Sequence, residues 1–236
     1  MALTGKLQPR SVLADQVRDR LLEAILSGGY APDARIVETQ VARELGTSQA
    51  PVREALRGLE ALGVVEITPF RGARVRRPTR RELLEAYAVR SALEALGARL
   101  AVPRLTDADL ADLSDAVEAM QAAARDGDGH RVAEADARFH GRLLELADNG
   151  TLTKVWRSLE PFGRTYITLV MPGADPQWSA DLHGPILAAL RRRDSAAVVA
   201  ALEHHFDEVS ANMAGRLPAD PDPAGASAPA TAERTP

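Results

Sequence analysis

The residues best suited to bind a metal ion in this chain are an aspartate and several histidines in its second half. Asp136 and His140 are four residues apart, so a helix would place both side chains on one face, one turn apart. That face would also carry Val132, Phe139 and Leu143, which predicts that the pair is buried in an apolar core. A carboxylate among apolar side chains is unfavourable unless it is paired with a cation or binds a metal. The spacing therefore favours a metal-binding pair.

Two further histidines are predicted to point into the same interior. His183 has the helical phase of Ile186 and Leu190, which would be buried. His205 lies towards the apolar face of the last predicted helix, whereas its neighbour His204 points away from that face. Three predicted helices therefore each direct ionisable side chains inwards.

The predicted ligand set contains no thiolate, because the chain has no cysteine. Imidazoles with one carboxylate suit a divalent transition metal, with zinc as our first choice and nickel, cobalt or manganese as alternatives. A single inward histidine is more often a hydrogen-bonded core residue, but the combination favours a metal. His130, in a glycine-rich loop, is predicted to face solvent. The predicted metal ligands are Asp136, His140, His183 and His205.

The elements that would position these ligands are helices, because helical periodicity continues from residue 80 almost to the end of the chain. Breaks at glycine, proline and Asn-Gly positions divide this region into six predicted helices. We therefore expect an all-α helical bundle over residues 78–217. Residues 218–236 are rich in Pro and Ala and nearly lack large apolar side chains, which predicts a disordered tail. The six predicted helices span residues 80–100, 107–125, 131–147, 151–170, 178–193 and 195–217.

The N-terminal region has the pattern of a winged helix-turn-helix, which we assign to residues 8–77. Residues 38–75 predict a helix, a tight turn at Gly46, a second helix and a two-stranded hairpin around Gly72. Ser48 is the predicted N-cap of the second helix. The chain as a whole is therefore predicted to be mainly α. The buried stripe of the second helix is predicted to consist of Val52, Ala55, Leu56 and Leu59.

With that stripe buried, the first residues of the second helix face outwards, where the recognition helix of such a motif enters the major groove. Arg53 could donate two hydrogen bonds to a guanine. The alternative is that Arg53 forms an ion pair with Glu54 or Glu60 on a solvated face. The arginines of the hairpin could approach the minor groove. The predicted DNA-binding residues are Ser48, Gln49, Ala50, Arg53, Arg57, Arg71, Gly72 and Arg74.

The distribution of charge is typical of a protein with one DNA-binding end. Residues 1–81 contain 14 of the 29 Lys and Arg residues but only 9 of the 33 Asp and Glu residues. No apolar run approaches the roughly 18 residues that a membrane span needs. The N-terminus lacks the apolar core of a signal peptide. We therefore expect a cytoplasmic protein that binds double-stranded DNA and no membrane.

Stretches of both regions resemble known domains. The run SQAPVREALRGLEALGVV, followed by PFRGARV, resembles the DNA-binding domain of the GntR family of bacterial transcription regulators. This chain departs from that pattern at Gln49, where many members carry Arg, and at Asp33, where Gly is common. The runs RELLEAYAVRSALEALGARLA, EADARFHGRLLELADNGTL and LHGPILAALRRRDSAAVVAALEHHF resemble the FCD effector domain of the FadR-type subfamily. Six helices resemble the smaller, VanR-like variant of that domain.

The resemblance implies a homodimeric regulator, expected here to be a repressor, that binds a short inverted repeat in DNA and senses a small carboxylate metabolite. It also implies a metal held by an Asp and three His, and the family pattern falls on the four residues already named. A carboxylate could coordinate the metal while an arginine clamps it. Arg90 is our first candidate for that arginine, with a salt bridge to Glu94 as the alternative. The predicted effector-binding residues are Arg90, Arg164, Tyr166 and Asn212.

Two other functions are compatible with the same residues. A metal-dependent enzyme domain fused to a DNA-binding module could use three histidines and an aspartate to activate water. The sequence indicates no inward Glu or further Asp beside the ligands as a general base, which argues against an enzyme. The other alternative is a pure metal sensor, in which the metal itself is the signal.

Overall fold

The computed structural model describes residues 10–69, 71–165 and 175–220. Its N-terminal part combines a helix-turn-helix with a small antiparallel sheet, as the sequence predicts. The strands lie in the order β1-β3-β2, so that β3 is central. The elements of this part are α1 (Arg10–Leu26), β1 (Arg35–Ile36), α2 (Glu38–Glu44), α3 (Gln49–Ala61), β2 (Val65–Thr68) and β3 (Gly72–Val75).

The sheet contains one strand that the sequence did not predict. In β1, Arg35 pairs with Arg74 and Ile36 pairs with Ala73 of β3. Two residues are too few to display the alternation of polar and apolar side chains by which a strand is recognised. Ile36 is buried in the core of this part, so the extra strand joins the hairpin to the helices.

The start and end of α3 follow the sequence closely. Ser48 occupies the predicted N-cap position with extended backbone angles, but its hydroxyl forms no capping hydrogen bond. After the helix, Gly63 adopts a φ of +71°, a left-handed conformation that glycine adopts without strain and that commonly ends helices. The predicted buried stripe is confirmed, with Val52, Ala55, Leu56 and Leu59 at most 2% exposed.

The loop before β1 contains an aspartate in the left-handed region. Asp33 has a φ of +68°, and its N–H donates to the carbonyl of Val75 at 3.0 Å. Asp and Asn enter this region more readily than other non-glycine residues. The carboxylate also contacts the guanidinium of Arg77 at 3.0 Å. The departure at Asp33 is therefore compatible with a loop conformation that favours glycine.

The C-terminal part is a bundle built from seven α-helices within the described residues. Two of them begin with capping boxes, in which Thr79 pairs with Glu82 and Thr106 pairs with Asp109. No helix in the described ranges is both long and apolar enough to cross a membrane. The helices are α4 (Arg80–Ala101), α5 (Asp107–Arg125), α6 (Gly129–Leu146), α7 (Gly150–Thr165), α8 (Pro176–Asp181), α9 (Gly184–Arg191) and α10 (Ser195–Arg216), with a 3-10 turn at Val102–Arg104.

The predicted single helix over residues 178–193 is wrong, because the structure divides it into α8 and α9. The first helix is capped at Leu182, and His183 serves as the N-cap residue of the second. Pro185 lacks a backbone N–H, so it fits only in the first turn of a helix and favours a new start at this point. The break accounts for the difference between six predicted helices and the seven described.

The core of the bundle combines alanines with a larger number of bulkier apolar side chains that fill it. Leu113 of α5 is fully buried in this core. Replacing Leu113 with alanine should lower the free energy of unfolding by about 2–5 kcal/mol, because it leaves a cavity that the helices cannot close. Urea denaturation followed by circular dichroism measures this change. The control is Val155→Ala at an exposed site on α7, and equal losses for both variants would contradict the assigned core.

The two parts of the chain contact each other through α1 and the bundle. Nδ1 of His130 hydrogen-bonds the carbonyl of Leu26 at 3.2 Å, and its Nε2 lies 3.3 Å from the carboxylate of Glu23. The prediction that His130 simply faces solvent is therefore wrong, because the side chain is partly buried between the two parts. Residues of both parts also line an open cleft of about 820 Å³, among them Leu22 of α1 and Trp156 of α7.

The first residues of the predicted tail belong to the folded structure. The carboxylate of Asp220 accepts hydrogen bonds from the backbone N–H groups of Arg80 and Arg81, at 3.0 and 2.9 Å. These are free donors at the start of α4, which a carboxylate satisfies well. The prediction of disorder is therefore wrong for residues 218–220. Residues 221–236 of the predicted tail lie outside the described residues.

Candidate metal centre and nucleic-acid interface

The four predicted metal ligands meet inside the bundle. Asp136 and His140 come from α6, His183 precedes α9, and His205 comes from α10. One ligand atom from each residue can be chosen such that all four lie within 4.8 Å of one another. Each residue is at most 5% exposed. The structure therefore brings together the whole predicted set, although its members are up to 69 positions apart in the sequence.

The distances between these atoms agree with a shared cation. Nε2 of His140 and Nε2 of His183 lie 3.1 Å apart. Oδ1 of Asp136 lies 3.1 Å from His183 Nε2 and 3.6 Å from His140 Nε2. Ligand atoms about 2.0–2.1 Å from a tetrahedral zinc ion stand roughly 3.3 Å apart. Nδ1 of His205 is buried and has no hydrogen-bond partner among the described residues, as expected for a donor set that an ion completes.

Two of the imidazoles are held by hydrogen bonds on the side away from the cluster. Nδ1 of His183 lies 3.0 Å from the carbonyl of Ser179 and donates a hydrogen bond to it, which leaves Nε2 as the nitrogen that faces the cluster. Nδ1 of His140 contacts the carboxylate of Glu94. Such partners commonly orient metal-binding histidines and fix their tautomer.

The electrostatics of the cluster favour a bound cation. Burial opposes the ionised form of Asp136, but the adjacent His140 and His183 outweigh it and hold the pKa of that carboxyl well below its usual range. Burial also opposes the charged form of His140, yet Glu94 and Asp136 raise its pKa to about 9. Burial, reinforced by His183 and His140, holds the pKa of His205 well below its usual range. His205 is therefore neutral and able to donate a lone pair.

Glu94 is a buried acidic residue beside the ligands that the sequence interpretation missed. It lies on α4, and its carboxylate contacts His140, the indole Nε1–H of Trp156 at 2.7 Å and the guanidinium of Arg90 at 3.1 Å. The prediction that no inward glutamate lies beside the ligands is therefore wrong. The available signal was an Arg-x-x-x-Glu spacing within an apolar helix, which reads equally well as a surface salt bridge.

Arg90 forms the salt bridge that was the alternative to an effector contact. Its Nη2 contacts Glu94, and its guanidinium carbon lies within 5.6 Å of the ring centres of Tyr87, Trp156 and Phe206. Its Nε–H is buried without a hydrogen-bond partner in the described part of the chain. Arg90 is therefore enclosed by aromatic rings and retains one unused donor.

The other predicted effector residues are described less completely. Asn212 is partly buried on α10. Arg164 lies in the last turn of α7, but its side chain lies outside the described residues, as does the whole of Tyr166.

The predicted DNA-reading residues lie at the start of α3 and on the hairpin. Arg53 is 58% exposed, with Nε 2.6 Å from the carboxylate of Glu38 and Nη2 3.0 Å from the side-chain oxygen of Gln49. The alternative ion pairs of Arg53 with Glu54 or Glu60 are therefore wrong, because its acidic partner comes from α2. Ser48, Gln49, Ala50 and Arg57 are exposed on the same helix start and along α3.

The tip of the hairpin presents arginines around a glycine. Gly72 has a φ of +83°, a left-handed backbone conformation that glycine adopts without strain and that most other residues avoid. Arg71 and Arg74 are exposed, and Arg74 donates to the carbonyl of Asp33 at 3.3 Å. Arg35 of β1 lies beside Gly72 and adds a basic side chain that the sequence interpretation did not include. Its position depends on the unpredicted strand.

Comparison with known proteins assigns both parts of the chain. Residues 13–75 match the bacterial regulatory proteins of the gntR family, and residues 85–208 match the FCD domain. The chain is 35% identical over 205 residues to the "Probable D-xylose utilization operon transcriptional repressor" of Paenarthrobacter nicotinovorans, covering 87% of this chain and 90% of that protein.

A relative from Escherichia coli adds a match in sequence and in structure. The HTH-type transcriptional regulator McbR of strain K12 is 29% identical over 195 residues, which is 81% of this chain and 87% of that protein. The solved structure of E. coli McbR/YncC matches with a TM-score of 0.77 at 25% identity, covering 86% of this chain and 98% of that one. The chain therefore belongs to the GntR family of bacterial regulatory proteins with a C-terminal FCD domain, and it is a DNA-binding transcription regulator rather than an enzyme.

Proposed function

We propose that this regulator is a repressor whose affinity for its operator changes when a small carboxylate binds at a metal ion in the helical bundle. The observation that carries this proposal is the convergence of four buried ligand groups in the domain attached to the helix-turn-helix. Asp136, His140, His183 and His205 would hold the ion. We propose zinc first, with nickel, cobalt or manganese as alternatives.

The residues present fit a metal that keeps positions open for a ligand. Four protein ligands leave free positions on an ion that prefers five or six, and zinc would have to expand from four to five coordination to accept a carboxylate oxygen. When bound, the ion would supply positive charge and a coordination position for a carboxylate oxygen. The neutral His205 and the ionised Asp136 already have the protonation states that metal ligands need, whereas His140, with its raised pKa, must release a proton when the metal binds.

Arg90 is our candidate for the second contact to the carboxylate. Its Nε–H is buried and unused by other described residues, and a buried donor without a partner is unfavourable. Burial opposes its charge, whereas Glu94 and Tyr87 favour it, so the pKa of Arg90 stays above its usual value and the guanidinium is charged. We keep Asn212, Arg164 and Tyr166 as further candidates for the effector pocket.

The proposed DNA contacts are supported by the exposed residues of α3 and of the hairpin. Two copies of the chain would present their α3 helices to a short inverted repeat, because a dimer of helix-turn-helix domains matches the symmetry of such DNA. The eight residues predicted from the sequence would form the contacts, with Arg53 reading a base and the hairpin arginines approaching the backbone or minor groove. The related protein of Paenarthrobacter nicotinovorans is named a probable transcriptional repressor, which supports our proposal that this chain represses transcription.

Contacts between the two parts of the chain could transmit the signal. His130 joins the start of α6 to the end of α1, and the carboxylate of Glu82 in the capping box of α4 also pairs with Arg76 after the hairpin. A carboxylate can change operator affinity only by binding one arrangement of these parts more tightly than another.

The test is a binding titration with DNA from immediately upstream of the protein's own gene. We expect zinc-loaded protein to bind this DNA specifically, and at least one member of a panel of small hydroxy acids, dicarboxylates and sugar acids to weaken binding. D-xylose belongs in the panel as a sugar without a carboxylate. Weakening by D-xylose alone would contradict the proposed effector class. A response to added zinc without any effector would favour the pure metal sensor.

Removal of the metal should lower thermal stability. A ligand at 100 times its dissociation constant stabilises the folded state by about 2.7 kcal/mol, provided that it does not bind the unfolded chain. We therefore expect zinc to raise the melting temperature of chelator-treated protein by several degrees, and excess chelator to reverse the shift. Differential scanning fluorimetry measures both steps. Magnesium, which prefers oxygen ligands, is the control, and equal shifts for both ions would contradict a histidine-rich site.

A further inference from the structure

Glu94 on α4 lies directly behind the proposed metal ligands and contacts residues of two other helices, α6 and α7. Its side chain on α4 is fully buried. A carboxylate in an apolar interior is unfavourable unless cations or hydrogen-bond donors contact it. One oxygen, Oε2, contacts Nδ1 of His140 on α6. The other, Oε1, accepts from Nε1 of Trp156 on α7 and from Nη2 of Arg90. The two oxygens therefore have different partners, one of them a proposed ligand.

We propose that Glu94 is a positioning residue, which fixes the ring of His140 so that Nε2 points at the metal position. The inference rests on the proposed metal function. An ionised carboxylate only accepts hydrogen bonds, so the Nδ1 of His140 that faces it must carry a proton. The opposite nitrogen, Nε2, is the atom 3.1 Å from His183 Nε2 and 3.6 Å from the carboxylate of Asp136. When the metal replaces the proton on Nε2, the imidazole held in this way is neutral and directs the Nε2 lone pair at the metal.

The competing interpretation is that Glu94 only neutralises the buried Arg90. That role explains why Oε1 contacts Arg90, but it does not explain why Oε2 contacts His140. Trp156 also donates to Oε1, so this oxygen has two donors, whereas Oε2 contacts only His140 among the residues that the structure describes. Because the two roles use different oxygens, variants can separate them.

The first experiment measures zinc affinity by competition with a chelating dye. We expect Glu94→Gln to bind zinc about 10- to 100-fold more weakly than the original chain, the range typical for loss of a partner behind a metal ligand. The matched control is Glu85→Gln on the same helix, where the glutamate is exposed and pairs with Arg81. This control removes the same charge and should leave zinc affinity unchanged. Equal affinities for Glu94→Gln and the original chain would overturn the inference.

Two further variants separate positioning from neutralisation. The double variant Arg90→Met/Glu94→Gln removes both charges of the buried salt bridge, so neither is left without its partner. Its free energy of unfolding should therefore recover relative to Glu94→Gln, whereas its zinc affinity should stay low. Trp156→Phe removes one donor to Oε1 and leaves the His140 contact, so zinc affinity should change less than about threefold, well below the range for loss of the carboxylate. Recovery of zinc affinity in the double variant would overturn the inference, because Glu94 would then matter only as the partner of Arg90.

A spectroscopic measurement on the unmodified chain does not depend on how the variants fold. Nitrogen-15 NMR of the zinc-loaded protein should show that Nδ1 of His140 carries a hydrogen-bonded proton and that Nε2 coordinates the metal. Coordination through Nδ1 would overturn the positioning role and leave the metal site itself intact. Failure of the original chain to bind zinc at all would overturn both this inference and the proposed function.

Discussion

Replacing Arg53 with alanine is expected to weaken operator binding about 10- to 100-fold, since a bidentate contact with a base contributes about 1–3 kcal/mol. Arg53 lies near the start of α3, where recognition helices contact base edges, and most of its side chain is exposed. Glu38 and Gln49 contact its guanidinium, so the side chain is held on the surface in a defined orientation before DNA binds. Loss of a base contact should also reduce discrimination between the operator and unrelated DNA.

A titration with the operator and with scrambled DNA at several salt concentrations measures both effects. The control is Arg99→Ala, which removes the same charge from an exposed position on α4 of the bundle. We expect this control to bind like the original chain. If Arg53→Ala lost affinity equally for operator and scrambled DNA, Arg53 would contact phosphate instead of a base. Unchanged operator binding would show that α3 is not the recognition helix.

Replacing His205 with alanine should reduce zinc affinity by at least about 100-fold. Structural zinc sites contribute about 10–16 kcal/mol in total, so loss of one of four ligands should remove roughly 3 kcal/mol. The loss should be specific, because His205 is buried with an unpartnered Nδ1, whereas His204 beside it on α10 is exposed. His204→Ala is therefore a control that removes the same chemical group one position away.

Isothermal titration of zinc into the chelator-treated proteins measures the affinities. We expect the His204→Ala protein to bind one zinc ion per chain as tightly as the original chain. The two variants differ by a single position, so general effects of removing an imidazole from α10 affect both. Equal zinc affinity in the two variants would exclude His205 from the site.

The buried cluster of one aspartate and three histidines was predictable because its members lie at regular positions on helices. Asp136 and His140 are four residues apart in a helix whose apolar face is clear from the sequence. His183 was correctly directed inwards although the helix containing it was wrongly drawn, because it lies immediately before α9 and keeps the phase of Ile186 and Leu190. Helical phase thus identified the four buried residues that meet, while the break between α8 and α9 depended on the local effect of Pro185.

The residues that the sequence interpretation missed depend on contacts between distant segments. Glu94 contacts His140 from 46 positions away, and only the packing of α4 against α6 shows that they meet. Glu38 reaches Arg53 from a different helix, so a search limited to neighbours on α3 selected Glu54 and Glu60 instead. His130 packs against the end of α1, which is 104 positions earlier. Periodicity indicates which face is buried but does not indicate which segment covers it.

The most direct test of the account compares the carboxylate response of operator binding with and without the metal site. The measurement is an operator titration, repeated at increasing concentrations of the carboxylate that most weakens binding, for zinc-loaded original chain, His204→Ala and His205→Ala. We predict a clear loss of operator affinity in the first two proteins and little or none in His205→Ala. An equal response in all three proteins would contradict a carboxylate that acts through the ion held by Asp136, His140, His183 and His205.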